Sequence, residues 1–233
     1  MSSPQALRGI SSMATKAILA QLAAAFAAQT GQPVGIESVG GVDAAKRVNA
    51  GEAFDIVLLA TDAIDRLIAS GHLSPHSRVD WAQSPVAVAV ASNSHTPDIR
   101  NEAALKETVL TASSISYSTG PSGVYLAQLF QRWGIADAVK AKLVVPPPGI
   151  SVGSLLASAQ VALGFQQRSE LINLPGLKLL GDLPADVAYT TIFSAATPFS
   201  LDAQRQQAAQ NFLAFLNTPD ANTIKQLHGM SPV

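Results

Sequence analysis

Three stretches of the chain combine hydroxyls and glycines in a way that suits an anion: Gly9-Ile10-Ser11-Ser12-Met13, Val39-Gly40-Gly41-Val42 and Ser118-Thr119-Gly120-Pro121-Ser122-Gly123. Ser and Thr donate hydrogen bonds without the cost of burying a fixed cation. Glycines let backbone N–H groups approach a ligand closely. Each stretch has a plain structural reading as well. Ser12 and Ser122 suit helix N-caps, and Gly40-Gly41 suits a tight turn. The recurrence of the pattern along the chain is what points to a ligand.

The surrounding periodicities explain why these loops matter. Ile18, Leu19, Leu22 and Phe26 have helical spacing, and Gly31 is placed to end that helix. A short strand within Ala6–Ile10 is expected before it, and Pro33–Val39 reads as a strand after it. Asp43 can open a helix through Val48. Ile56–Ala60 is a continuous apolar run that suits a strand buried on both faces. Asp62 then caps a helix ending at Gly71. The pattern restarts beyond Pro85–Ala91, itself a strand: helix at Leu105–Leu110, strand at Ser114–Ser118, helix at Ser122–Trp133. Further strands are expected at Leu143–Val145, Val161–Phe165 and Tyr189–Ala195. Helices are expected at Val152–Ser158, at Leu201–Leu216 with Ser200 as its cap, and at Asp220–Leu227. Alternation of strand and helix with short connections is the signature of a helix-covered parallel sheet. In such α/β sheets, ligands collect at the carboxyl ends of strands, where helix N-termini present free N–H groups. All three loops fall there. The restart implies two lobes, residues 1–86 with 194–233 and residues 87–193, joined where the chain crosses twice.

Composition narrows the function. The chain has 233 residues, of which 48% are hydrophobic, and a formal net charge of −1, so a sizeable core is available and a nucleic-acid partner is not expected. There is no cysteine, which excludes disulfides, thiolate nucleophiles and cysteine-based zinc sites. The alanine-rich run Ala17–Ala28 is interrupted by Gln21 and too short to span a bilayer, so direct membrane insertion is not expected. A periplasmic location follows if an export leader has been removed, a cytoplasmic one otherwise. His72, His76, His95 and His228 lie in turns or near the end of the chain and read as solvent-facing, so no metal site is expected. No dinucleotide fingerprint or Walker loop is present. Ser122 is one residue short of the nucleophile-elbow spacing. No cofactor is expected.

Three segments carry a family resemblance: Ile10-Ser11-Ser12-Met13, Gly40-Gly41 ahead of a helix, and Gly51-Glu52-Ala53-Phe54-Asp55-Ile56-Val57-Leu58. Together they resemble the type 2 periplasmic solute-binding proteins, and within them the molybdate receptors of ABC transporters. The likeness runs along nearly the whole chain. It implies an α/β, two-lobed periplasmic-binding-protein type 2 fold with a two-strand hinge, a small anionic ligand in the interlobe cleft and an ABC permease as partner. By this resemblance Ser11, Ser12, Met13, Gly40, Gly41 and Val42 line the first lobe's half of the site, and Ser118, Thr119 and Ser122 the second's. Where molybdate receptors often place a late tyrosine, this chain has Gly164-Phe165-Gln166-Gln167. Gln166 and Gln167 donate or accept, which suits a carboxylate or mixed ligand better than molybdate.

The stretch Phe165–Leu171, with Thr191–Ala195, also resembles a subgroup that includes aconitate isomerase, an enzyme on the same scaffold. The resemblance therefore implies either a receptor for an oxyanion or di- or tricarboxylate, or a cofactor-free isomerase of an unsaturated tricarboxylate. An adhesive protein retaining the fold is a third reading. Isomerisation needs a base over one carbon. Lys16, Lys46, Tyr125 and Glu170 are the residues weighed for it, and the sequence does not choose among them.

Overall fold

A computed structural model describes residues 5–147 and 149–233. The chain forms two compact units. One comprises the chain up to Gln83 together with Ile192–Val233, the other Ser84–Thr191.

The first unit is built on β1 (Leu7–Ser12), α1 (Lys16–Thr30), β2 (Val34–Val39), α2 (Gly41–Asn49), β3 (Ile56–Ala60) and α3 (Thr61–Ala69). β1 is parallel to both β2 and β3, with Ser11 opposite Ser38 on one side and Leu58 on the other. All five residues of β3 are apolar and its first four are buried, as a strand covered on both faces requires. One face packs Leu7, Ile56 and Leu58 against Ile18, Leu22 and Phe26 of α1. The other packs Ile10, Val57 and Leu59 against Ala44, Val48, Ile64 and Leu67 of α2 and α3. α1 ends where Gly31 turns left-handed, at φ 75°, a conformation glycine adopts without penalty.

β4 (Val79–Ala91) carries the chain into the second unit. There follow α4 (Glu102–Thr111), β5 (Ile115–Tyr117), α5 (Pro121–Arg132), α6 (Ala136–Lys140), α7 (Val152–Ala157), β6 (Leu163–Gln167), α8 (Arg168–Leu171) and β7 (Leu177–Asp182). β5 and β6 are parallel, with Tyr117 opposite Phe165, and β4 is antiparallel to β6 and β7. Val86, Val88, Leu163 and Phe165 face Leu126 and Phe130 of α5. Ala87 and Ala89 face Val152 and Leu156 of α7 on the other side. β8 (Thr190–Ala196) brings the chain back to the first unit, where it pairs antiparallel with β3. α9 (Ala203–Phe215) and α10 (Pro219–Leu227) complete that unit, with Phe212 and Phe215 against Phe26.

Several expectations are corrected. The strand expected from Pro85 begins at Val79, because Trp81 and Ala82 are core residues whose polar neighbours Asp80, Gln83 and Ser84 hide the pattern. The strand expected at Leu143–Val145 reduces to a single bridge between Ile115 and Leu143. Pro146 and Pro147 follow at once and offer no N–H to a ladder. α9 is capped by Asp202, whose carboxylate accepts from the Arg205 N–H at 2.8 Å, rather than by Ser200. β6 begins at Leu163 and extends to Gln167, so both glutamines are strand residues. α6 and β7 were not foreseen.

Candidate functional site

In the first unit, the carboxyl ends of β1, β2 and β3 deliver Ser11-Ser12, Gly40-Gly41 and Thr61. Strand alternation sends Ser11 and Ser12 to opposite faces of the sheet. Ser11 faces the α1 side, and its hydroxyl pairs with that of Ser38 at 2.7 Å, as the register of β1 and β2 allows. Ser12 faces the α2 side. Its backbone carbonyl accepts from Thr15 Oγ1 at 3.1 Å, which fixes the short turn Met13–Thr15 ahead of α1. Its own Oγ is buried without a hydrogen-bond partner. Ser12 therefore caps nothing, contrary to its plain structural reading.

Gly41, the first residue of α2, places its Cα against Ser12: a Cβ there would lie 3.5 Å from Ser12 Cβ. The α2 N-terminus has no side-chain cap, and its intrahelical bonding begins with the Ala44 N–H donating to Gly40 O. N–H groups ahead of Ala44 are those a helix leaves unpaired. The Val42 side chain is exposed and Met13 half-buried, so backbone is what these two residues have to offer. Thr61 was missed by the sequence reading, although it follows the apolar run Ile56–Ala60 at just such a strand end. Its hydroxyl pairs with Ser194 Oγ at 2.7 Å, and Ser194 donates to Asp80 at 2.5 Å.

In the second unit, Ser118 and Thr119 leave the end of β5 and α5 opens at Pro121. Ser118 and Ser122 hydroxyls lie 2.8 Å apart. Ser122 sits inside the first turn, while Gly120 holds the N-cap position without a side-chain cap. Gly123 is what lets the loop close onto the helix: a Cβ at that position would stand 1.6 Å from Ser118 O. Thr119 is exposed.

Gln166 and Gln167, adjacent on β6, also face opposite ways. Gln166 is fully engaged, accepting from the Gly153 N–H at 3.1 Å and donating to Glu170 at 2.7 Å. Gln167 contacts the Thr191 hydroxyl through Nε2 at 2.5 Å, and its Oε1 is buried with no partner. Burial pushes the Glu170 carboxyl up to about 7, against hydrogen bonds from the Gln166 amide and the Gln167 backbone. Tyr125 donates to Val187 O at 2.9 Å and stacks on Tyr189. Lys16 is exposed, as is Lys46, which faces Asp43 at 3.8 Å. His76 and His95 are exposed, whereas His72 and His228 are half-buried, the latter against Gln21. Among the described residues no group of three or more His, Cys, Asp or Glu is placed to hold a metal ion.

Four buried side-chain atoms lack partners among the described residues: Ser12 Oγ, Gln167 Oε1, Trp81 Nε1 and His228 Nδ1. Each such group costs about 1–3 kcal/mol when left unanswered. Two of the four belong to the polar strand ends just described. A cavity of about 670 Å³ in the first unit lies toward the opposite ends of β1 and β3, lined by Arg8, Phe54, His72 and Arg205 among others. Its guanidiniums are already answered, Arg8 by Glu52 and Arg205 by Asp55. Burial alone would raise the Asp55 carboxyl, but Arg205 and the Arg8 N–H hold it below its ordinary value. That cavity offers an anion no free cation.

Residues 7–231 match the family model for bacterial extracellular solute-binding proteins. The chain is 37% identical over 190 residues to an aconitate isomerase from a Pseudomonas species, covering 80% of this chain and 71% of that protein. The periplasmic molybdate-binding protein of Azotobacter vinelandii superposes with a TM-score of 0.79 at 24% identity, covering 97% of this chain and 98% of that one. The sulfate-binding protein SubI of Mycobacterium tuberculosis does so with a TM-score of 0.78 at 15% identity, covering 98% and 87%. The fold is thus the two-lobed α/β fold of periplasmic binding proteins. No helix among the described residues is long and apolar enough to cross a membrane. The chain belongs to the bacterial extracellular solute-binding protein family.

Proposed function

We propose that this protein binds an unsaturated tricarboxylate of the aconitate class and interconverts its cis and trans forms. The observation that carries the reading is the 37% identity to an aconitate isomerase over 80% of the chain, against 24% or less for the oxyanion-binding structures compared above. The site chemistry agrees with it. Ser12 and the α2 N-terminus in the first unit, and Ser118 and Ser122 in the second, supply neutral donors, which answer carboxylates without fixed cations.

The reaction is a proton shift. A base removes a proton from the methylene carbon beside the double bond, and the electron pair spreads over the three-carbon allyl unit and its carboxylates. Return of the proton to the other end of that unit exchanges single and double bonds and yields the opposite isomer. Of the residues weighed as base, Glu170 has a carboxyl raised to about 7 by burial, and it is held by the Gln166 amide, on the opposite face of β6 from Gln167. The Tyr125 hydroxyl is engaged with Val187, and Lys46 faces Asp43.

A second reading has its own support: the family, and the molybdate- and sulfate-binding structures of the same fold, favour a periplasmic receptor that hands its anion unchanged to an ABC permease. Incubation with cis-aconitate in D2O, followed by proton NMR, separates the two. Isomerisation yields trans-aconitate, carrying deuterium where the base exchanges its proton with solvent before returning it. A melting shift with unchanged, unlabelled cis-aconitate makes the protein a receptor.

A further inference from the structure

The buried amide of Gln167 places Nε2 2.5 Å from Thr191 Oγ1 and leaves Oε1 unanswered. That separation is short for N–H···O, ordinarily about 2.7–3.2 Å, and ordinary for O–H···O, about 2.5–3.0 Å. The two ends of an amide have nearly the same shape, and a hydroxyl both donates and accepts. Turning the amide over keeps the Thr191 contact, now with the hydroxyl donating to Oε1. The unanswered atom then becomes an N–H2 donor. Gln166 shows what a fixed amide looks like one residue away: the Gly153 N–H can only donate, so Gln166 Oε1 must be the atom it meets. Gln167 has no such constraint. Both Gln167 and Thr191 are more than nine-tenths buried, so the free end of the amide is not satisfied by bulk water.

We propose that Gln167 is a ligand contact whose amide turns to match the ligand, presenting N–H2 to an anionic oxygen while its carbonyl accepts the Thr191 hydroxyl. The proposal deepens the tricarboxylate reading and rests on it for the identity of the anion. Thr191 is a positioning residue in this scheme: it satisfies the amide in either orientation, so the ligand's own protonation selects which end faces it. A carboxylate selects the donor end. A protonated carboxyl or a hydroxyl selects the acceptor end.

The test is calorimetric titration of wild type, Gln167→Glu, Gln167→Met and Thr191→Val with trans-aconitate and, separately, with molybdate at pH 8, after unliganded melting curves confirm folding. Gln167→Glu keeps the shape but turns a negative oxygen toward the anion, and affinity is expected to fall about 100-fold or more. Gln167→Met only removes the donor, and a fall of about 10-fold is expected; this variant decides the matter should the buried carboxylate prevent folding. Thr191→Val frees the amide, and a smaller loss is expected. Binding of molybdate but not aconitate to wild type rejects the tricarboxylate reading, and the same variants then judge Gln167 on molybdate. Affinities of the glutamate and methionine variants within twofold of wild type overturn the proposal. So does a wild type that binds neither anion.

Discussion

The two units solve one problem in parallel ways. In each, a central strand ends in two adjacent polar residues that alternation sends to opposite faces. The first of each pair is tied into its own unit: Ser11 to Ser38, Gln166 to Gly153 and Glu170. The second retains a buried atom without a partner: Ser12 Oγ in one unit and Gln167 Oε1 in the other. The difference lies in what backs them. Ser12 stands against the N-terminus of α2, whereas Gln167 leans on a hydroxyl that accepts either end of its amide. Position along the strand thus does not make a polar residue a ligand. The face it takes, and what already occupies that face, decide.

Substitutions that break this parallel should rank clearly. The largest effect is expected at Gly123→Ala, where the new methyl would collide with Ser118 O. The second unit's loop cannot then close on α5, and a loss of about 3 kcal/mol or more is expected in urea denaturation. Its counterpart Gly41→Ala meets only ordinary contact at 3.5 Å, and a change within about 1 kcal/mol is expected.

Next come the paired residues. Gln166→Leu strands the Gly153 N–H and should cost about 1–3 kcal/mol of stability. Ser12→Ala removes an unanswered hydroxyl, so stability should hold or rise while anion binding weakens by about 1–3 kcal/mol. Parallel melting and titration curves check both, and a Ser12→Ala protein that binds as wild type would end the parallel.

The effects of pH are spread over several pH units and read as slopes. Glu170 binds its proton more tightly folded than unfolded, with a pKa raised from 4.5 to about 7. Its contribution is therefore full below 4.5 and is lost as pH rises through about 7. Lys225, buried beside Asn217 and Asn222, has its pKa lowered by burial from 10.5 to about 8. Its neutral form is favoured by folding, so stability should climb as pH rises from about 8 to 10.5. Glu170→Gln should flatten the first slope and Lys225→Met the second, read from melting temperature against pH relative to wild type.

Much of this was legible in the sequence. The apolar run Ile56–Ala60 fixed a strand to the residue, and Gly31 fixed the end of α1. The loops after β1, β2 and β5 stood out because hydroxyls and glycines follow apolar strands there. What escaped notice depends on distant pairing. Thr191 meets Gln167 across 24 residues, and Ser38 meets Ser11 only through the register of two parallel strands. β4 was clipped at Pro85 because Asp80, Gln83 and Ser84 interrupt its apolar pattern. Nor could spacing tell Gln166 from Gln167, since neighbours in a strand differ only by the face each meets.

The most direct test of the account is NMR titration of isotopically labelled protein with trans-aconitate. We expect the Gly41 and Val42 backbone amides and the Gln167 side-chain amide to shift on titration, with the Gln166 side-chain amide nearly still. Shifts confined to the cavity of Arg8, Phe54 and Arg205, or a Gln166 amide that moves while Gln167 does not, would contradict it.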